Sequence, residues 1–244
     1  MSFLRREIEA RFRRIAPTSW WGDHLDVRFE LVRRVRGLRG LRVLDVATAE
    51  GIILAEVPRS CVRVGLDRDP AFARQAAGNA PGARIVVGDM RALPFKREAF
   101  DVVLFAHTLE VTPDRTATVQ ELWRVLRPGG RLWLTTPNGA HPRYRGAGKL
   151  DLEELSDLFG PGLGSRIAGY NPLLWPTRGR GARPLSRLPG IDHLLRGLMR
   201  LPVRLVSPFV MSFFVEAERR PAPDPAPPAR RRTEAALPGA GVFR

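Results

Sequence analysis

The chain has 244 residues, of which 44% are hydrophobic, so it is long and apolar enough to bury one α/β core with additions. Its single cysteine, Cys61, excludes an intramolecular disulfide and a zinc site built from cysteines. The formal net charge of +15 is compatible with a nucleic-acid or anionic-membrane partner. The basic residues are almost all arginine and are spread along the chain, which is also typical of a GC-rich genome, so nucleic acid is the less favoured partner.

The first residues carry charges but no apolar stretch or small-residue cleavage site, so no signal peptide is predicted. No apolar run approaches the ~18 residues that a membrane-spanning helix needs. Together with the single cysteine, these features predict a cytoplasmic protein.

Two amphipathic helices are predicted before the first strand. In the first, apolar residues recur at helical spacing from Leu4 to Ile15, and Pro17 ends the helix. The second begins at about Asp23 and ends at Gly37. We expect residues 1–40 to pack on the domain that follows.

From Leu41, short apolar runs alternate with helical segments, which predicts a parallel sheet covered on both faces. The predicted strands are Arg42–Val46, Val62–Leu66, Arg84–Val87, Asp101–Ala106 and Arg131–Thr135. The predicted helices are Ile52–Val57, Pro70–Asn79 and Arg115–Leu126. Right-handed crossovers place the carboxyl ends of the strands at one edge, where such sheets bind ligands.

A later helix over Asp151–Phe159 and a strand over Phe209–Val215 complete the predicted domain, which spans residues 41–218. Residues 170–206 are predicted to form an insertion or lid over the site. Residues 219–244 are rich in proline and arginine, and we expect a disordered tail.

The strand ends carry a recurring pattern of acidic and small residues. The first strand runs into Asp45-Val46-Ala47-Thr48-Ala49-Glu50-Gly51, the second into Asp67-Arg68-Asp69, and the third into Gly88-Asp89-Met90. The fourth continues as Ala106-His107-Thr108-Leu109-Glu110, and Leu126-Arg127-Pro128-Gly129-Gly130 leads into the fifth. The order of these motifs is more specific than any one of them.

This succession resembles the class I S-adenosylmethionine-dependent methyltransferases, in particular the type 11-like group that contains quinone and other small-molecule methyltransferases. The resemblance covers about Val43 to Asn138. It implies a Rossmann-like, mostly parallel seven-stranded sheet with helices on both faces and an antiparallel final strand. It also implies S-adenosyl-L-methionine as the cofactor and no metal.

The resemblance assigns the cofactor site residue by residue. Asp45 would orient the charged amino-acid part, Asp67 would accept hydrogen bonds from the ribose hydroxyls, and Asp89 with the Met90 backbone would face the adenine. The full set of implied cofactor-binding residues is Asp45, Ala47, Ala49, Gly51, Asp67, Arg68, Asp89, Met90 and Ala106.

The first motif departs from the family at Ala47 and Ala49, where glycine is usual. A methyl group there either intrudes on the cofactor or requires a backbone that avoids positive φ. Weakened binding is the expected result, and a non-catalytic binding protein with this fold is one alternative function.

His107 and then Glu110 are the candidates for a catalytic proton acceptor, which is needed only if the acceptor must lose a proton. The Asn/Asp-Pro-Pro-Tyr/Phe motif of amino-group methylation on bases is absent after the fourth strand, and Cys61 is misplaced for attack on cytosine. RNA or protein methylation by other means stays an alternative.

The insertion interleaves apolar residues with arginines, notably over residues 191–200. This pattern fits a lid over an apolar acceptor or peripheral membrane contact through residues 191–206, and it equally fits simple packing on the domain. The sequence therefore predicts methylation of a small or lipid-like acceptor, such as a quinone precursor or isoprenoid. It does not predict an oligomeric state.

Overall fold

The computed structural model describes residues 3–15, 25–141, 150–159, 165–172, 202–207 and 210–220. A seven-stranded sheet with the order β3-β2-β1-β4-β5-β7-β6 forms the centre of this part of the chain. Its strands are β1 Arg42–Val46, β2 Val62–Asp67, β3 Arg84–Val87, β4 Phe100–Ala106, β5 Leu126–Pro137, β6 Arg166–Pro172 and β7 Val210–Glu218.

Strands β1 to β5 pair in parallel, and β7 runs antiparallel to both of its neighbours, β5 and β6. The predicted mostly parallel sheet with an antiparallel final strand is therefore confirmed. The strand order reverses between β1 and β4, and at such a switch point the loops after the two strands diverge to opposite faces. That divergence opens a crevice at the carboxyl edge of the sheet.

Seven α-helices are described, some of them only one or two turns long. They are α1 Phe3–Ile15, α2 Leu25–Val35, α3 Ile52–Glu56, α4 Pro70–Asn79, α5 Arg115–Val125, α6 Leu152–Phe159 and α7 Val203–Val206. A 3-10 turn, Leu109–Val111, follows β4.

Local capping explains where two of these helices begin. The Asp69 carboxylate accepts a hydrogen bond from the Ala71 N–H at 2.7 Å, and Pro70 occupies the first turn of α4. The Asp114 carboxylate accepts from the Ala117 N–H at 2.9 Å in the same way at α5. These side chains satisfy N–H groups that have no partner within the helix.

Two apolar clusters lie on the two faces of the sheet. Leu44 of β1 packs into the cluster that includes α5 and α6, whereas its neighbour Val43 packs into the cluster that includes α1 and α2. Successive strand residues point to opposite faces, so a strand buried on both sides must be apolar throughout. In the second cluster, Ile8 and Phe12 of α1 are almost fully buried.

The sequence did not predict β6, and this strand contains Tyr170, the first residue of the predicted insertion. At the other end of that segment, α7 buries Val206 and leaves Leu205 exposed. The helix-like stretch 191–200 and the tail from residue 221 onward lie outside the described residues. Within the described ranges, no helix is long and apolar enough to cross a membrane.

Candidate active site

A cavity of about 150 Å³ lies at the switch point between β1 and β4. The loop after β1, the end of β4 and the N-terminal helix α2 form its wall. The lining residues are Arg28, Asp45, Ala47, Thr48, Ala49, Glu50, Ile52, Ile53, Ala106, His107 and Thr108. Of the residues predicted from the sequence, the structure thus brings Asp45, Ala47, Ala49, Ala106 and His107 together around one space.

The loop after β1 keeps a backbone that favours glycine although it carries alanines. Ala47 has φ 54° and Ala49 has φ 47°, both in the left-handed region, and Gly51 follows at φ 73°. The chain therefore does not avoid positive φ at these positions. His107 on the opposite wall has φ 51°, so three of the four non-glycine residues with positive φ in the described chain line this cavity. Strain of this kind is concentrated at functional sites.

Gly51 does not line the cavity, so its predicted cofactor contact stays a prediction, and its lack of a side chain is needed for packing. A Cβ at this position would lie 2.8 Å from the Cα of Ala76 in α4. The missing side chain therefore lets the start of α3 approach α4 closely. Gly51 also closes the loop, because its N–H donates to the Thr48 carbonyl at 2.8 Å.

Asp45 is the buried carboxylate of the cavity. It is 3% exposed, and the Thr48 hydroxyl donates a hydrogen bond to it at 2.7 Å. Burial raises the pKa of Asp45 to about 7, because desolvation disfavours the charged form more than the Thr48 hydrogen bond favours it. A cation in the cavity would restore the ionised form.

Asp67 ties the end of β2 to the loop after β1. One of its carboxylate oxygens accepts from the Ala49 N–H at 2.9 Å, and the other accepts from the Asp69 N–H at 2.9 Å. Asp67 is only 7% exposed and does not line the cavity. Each oxygen keeps one lone pair for a further donor, so its predicted ribose contact stays a prediction.

Asp89, Met90 and Arg68 also lie off the cavity wall. The Arg91 guanidinium donates to the Asp89 carboxylate, with Nη2 2.6 Å from Oδ2. This hydrogen bond is the main reason that the pKa of Asp89 falls to about 2. Arg68 lowers it further through its charge. The Met90 side chain packs against the core, with its sulfur 3.9 Å from the Thr112 hydroxyl.

His107 and Glu110 form a buried pair at the end of β4. Nδ1 of His107 lies 4.0 Å from Oε1 of Glu110, and the two side chains are 3% and 8% exposed. His107 lines the cavity, whereas Glu110 lies off its wall and accepts a hydrogen bond from the Thr136 hydroxyl at 3.3 Å. Burial raises the pKa of Glu110 to about 7, although Arg28 and Arg115 oppose this rise.

Arg28 lines the cavity and was not among the residues predicted from the sequence. It lies on α2, upstream of the segment that carries the family motifs. The signal that could have found it is its place in the apolar stripe of α2, three, four and seven residues before Leu31, Val32 and Val35, all of them buried. A buried guanidinium needs polar or charged neighbours, so an arginine on the buried face of an amphipathic helix indicates a polar site.

The fold is that of solved S-adenosylmethionine-dependent methyltransferases. The methyltransferase domain family matches residues 44–134, which confirms the resemblance inferred from the sequence over that segment. A solved structure titled as the complex between the Haloferax volcanii Trm112 methyltransferase activator and a putative methyltransferase has a TM-score of 0.61 at 17% identity, and the match covers 90% of this chain and 99% of that one.

Curated relatives share the same region. The chain is 29% identical over 153 residues to a demethylmenaquinone methyltransferase of Lactococcus lactis, covering 59% of this chain and 61% of the relative. It is 34% identical over 114 residues to a ubiquinone/menaquinone biosynthesis C-methyltransferase of Geobacter sulfurreducens, covering 43% of this chain and 44% of the relative. The chain thus spans less than two thirds of either relative.

Proposed function

We propose that this protein is an S-adenosylmethionine-dependent methyltransferase that acts on a small lipophilic acceptor of the quinol type. The observation that carries the proposal is the cavity at the switch point of the methyltransferase sheet, whose wall holds the strained loop and the buried Asp45. The names of the relatives, which act in menaquinone and ubiquinone methylation, support the acceptor class.

The residues present fit the cofactor. An ammonium group in the cavity would meet the buried Asp45 carboxylate, which has one hydroxyl donor and no arginine or lysine among its described hydrogen bonds. Outside the cavity, each Asp67 oxygen has one lone pair left for a ribose donor, whereas both Asp89 oxygens already accept from Arg91. The cavity of about 150 Å³ is smaller than the roughly 300–1,000 Å³ of pockets that enclose a whole ligand, so it would hold one end of an extended cofactor.

The cofactor supplies a methyl group on a sulfonium sulfur, which is already a good leaving group. The chain's task is then to align the acceptor with that methyl group and to exclude water. An acceptor that receives this methyl group would have a proton to lose. His107 faces the cavity and would take this proton, and Glu110 behind it would stabilise the resulting imidazolium.

The decisive experiment combines calorimetry with a product assay. The full chain should bind S-adenosylmethionine and transfer a labelled methyl group to a short-chain demethylmenaquinol kept reduced with dithionite. The site variant is Asp89→Ala, which should weaken cofactor binding about 10-fold by loss of an acceptor for the adenine. The matched control is Arg91→Ala, which breaks the same ion pair but leaves the carboxylate in place.

The outcomes separate the alternatives. No binding of the cofactor at high micromolar concentration would overturn both enzyme functions and leave a non-catalytic binding protein. Binding with transfer to RNA or protein, and none to the quinol, would overturn the acceptor class. Equal cofactor affinities of Asp89→Ala and the unmodified protein would show that the adenine end is misplaced.

A further inference from the structure

A second cavity, of about 410 Å³, lies at the other edge of the sheet from the candidate active site. Its wall comes from the loop before β4, the end of α5 and the residue after β7, all beside the amino ends of the parallel strands. The lining residues are Arg97, Gln120, Glu121, Trp123, Arg124 and Arg219. Its volume is within the roughly 300–1,000 Å³ of pockets that hold small molecules.

Two of the three arginines are held in place at the end of α5. Arg124 pairs with Glu121 at 2.6 Å and donates to two carbonyls of the loop before β4. Arg219 pairs with Glu98 at 2.9 Å and donates to two carbonyls where α5 meets β5. Neither guanidinium uses all five of its N–H groups in these bonds, so both keep donors for a ligand in the cavity.

Arg97 is the cation of this cavity whose charge is not neutralised. It is exposed, and it has no hydrogen bond or ion pair among the residues that the structure describes. The two nearby carboxylates, Glu121 and Glu98, are each paired with another arginine. The cavity therefore carries an excess of positive charge.

The backbone next to Arg97 is strained. Glu98 has φ 60°, and the other three non-glycine residues with positive φ in the described chain line the first cavity. The Glu98 N–H donates to the Arg124 carbonyl at 2.9 Å, and its carboxylate accepts from Arg219. These bonds fix the loop that carries Arg97 against α5 and the end of β7. Because such strain is concentrated at functional sites, it favours a built site over an incidental surface depression.

We propose that this cavity binds a phosphate group, either of a soluble compound or of a lipid headgroup. A guanidinium donates two parallel hydrogen bonds to phosphate oxygens, and the tetrahedral group has enough oxygens to accept from more than one arginine at once. The cavity lies at the edge of the sheet away from Asp45 and His107, so its ligand is neither the cofactor nor the methyl acceptor. The inference does not depend on the proposed function.

The test is calorimetry of the full chain with inorganic pyrophosphate in a phosphate-free buffer. Gln120→Glu places a negative charge on the exposed side of α5 at the cavity, and it should weaken binding about 10-fold or more. The matched control is Gln75→Glu, the same change at an exposed position of α4, which packs on β2 and β3. It should change the affinity less than about 2-fold, because salt screens charges beyond a Debye length.

A second variant tests the arginine directly. Arg97→Gln should weaken pyrophosphate binding about 10-fold through the loss of charge-assisted hydrogen bonds. Because Arg97 has no partner among the described residues, the thermal unfolding temperature should stay the same. Arg74→Gln, at an exposed position of α4, removes the same charge elsewhere and should keep the affinity.

Sedimentation with vesicles of phosphatidic acid and phosphatidylcholine distinguishes the two sources of phosphate. Weaker sedimentation of Gln120→Glu than of Gln75→Glu assigns the lipid headgroup. Equal sedimentation of the two variants, with the difference in pyrophosphate affinity retained, assigns a soluble phosphate compound.

Two results would overturn the inference. One is a full chain that does not bind pyrophosphate at millimolar concentration. The other is equal pyrophosphate affinity of Gln120→Glu and Gln75→Glu, which would show only adventitious attraction of an anion to a chain of net charge +15. Neither result bears on the binding of S-adenosylmethionine, so the proposed function is tested separately.

Discussion

At the residue scale, the main feature of the site is backbone strain at residues that have a Cβ. Ala47, Ala49 and His107 all adopt positive φ on the cavity wall. A left-handed conformation costs a non-glycine residue roughly 1–2 kcal/mol. Because the surrounding hydrogen bonds, such as Ala49 N–H to Asp67, hold this geometry in place, the strain is part of the folded site.

Replacing Ala49 with glycine should therefore stabilise the protein. Relief of the left-handed strain outweighs the extra entropy that glycine gives the unfolded chain, so we expect a gain of about 0.5–1 kcal/mol in the free energy of unfolding. Urea denaturation measures it. The control is Ala77→Gly on the exposed side of the helix α4, which should destabilise the protein by about 1 kcal/mol. Equal losses at both positions would contradict the assignment of strain.

Glu110 should make stability depend on pH. Its pKa is raised to about 7 in the folded protein by burial, from 4.5 in an unfolded chain. Below pH 4.5 both states hold the proton. Between 4.5 and 7 the folded state alone keeps it, so stability falls as pH rises through this window, by roughly 3 kcal/mol in total.

The comparison with Glu110→Gln isolates this contribution. His107, Arg28 and Arg115 interact with Glu110 and are unchanged in the variant, as is Asp45 with its own raised pKa. Urea denaturation from about pH 5 to pH 8 should show the unmodified protein losing stability relative to Glu110→Gln. Parallel profiles of the two proteins would mean that Glu110 is ionised in the fold throughout.

At the scale of elements, the buried Glu56 carboxylate links the two N-terminal helices to α3 through ion pairs. The Glu56 side chain on α3 is 3% exposed and accepts from Arg11 of α1 at 2.7 Å and from Arg36, just after α2, at 2.6 Å. Since α3 begins at the loop after β1, these ion pairs connect α1 and the end of α2, the helix that carries Arg28, to that loop.

Glu56→Ala should destabilise the fold by about 1–3 kcal/mol, because it leaves two arginines without their shared carboxylate, although both are about one third exposed and partly solvated. It should also weaken cofactor binding, since α2 loses an anchor. Thermal unfolding and calorimetry measure the two effects. Glu7→Ala is the matched control: it contacts the same Arg36 at 3.4 Å but is 49% exposed, so it should change little. A similar loss in both variants would remove the special role of Glu56.

At the scale of the whole molecule, the excess of positive charge bears on the predicted membrane contact. A net charge of +15 would attract the chain to anionic membrane surfaces, and the apolar residues of segment 191–206 would add a contribution that salt does not screen. The two contributions can be separated by ionic strength.

We expect the full chain to co-sediment with vesicles of phosphatidylglycerol and phosphatidylcholine. Raising the salt from about 0.1 M to about 1 M shortens the Debye length from ~10 Å to ~3 Å and should remove most, but not all, of the binding. Leu195→Asp combined with Leu198→Asp should abolish the part that survives high salt. Val62→Asp, which alters an exposed apolar residue at the start of β2, should not. Binding at high salt that is unchanged by the Leu195 and Leu198 substitutions would rule out the segment as the membrane contact.

The sequence determined most of the sheet and the strand-end motifs by itself. Strands β1 and β3 and the helix α4 have the bounds that local patterns predict, because a run of apolar residues or the Asp69–Pro70 cap carries its signal within a few neighbouring residues. The strand β6 could not be found in this way. It contains Gly169, and pairing with the distant strand β7 is what makes it a strand.

The tertiary structure alone decided which side chains share the cavity. Asp45 and His107 were predicted as site residues and lie on its wall. Asp67 lies off the wall and accepts a hydrogen bond from the Ala49 N–H. Asp89 also lies off the wall and pairs with Arg91. Arg28 reached the site only through the packing of α2 against the sheet, from outside the segment that carries the motifs. The physical reason is the distance along the chain over which each effect acts. Backbone periodicity and helix caps depend on a few neighbouring residues. Burial, desolvation and the approach of opposite charges depend on elements that are distant in the chain.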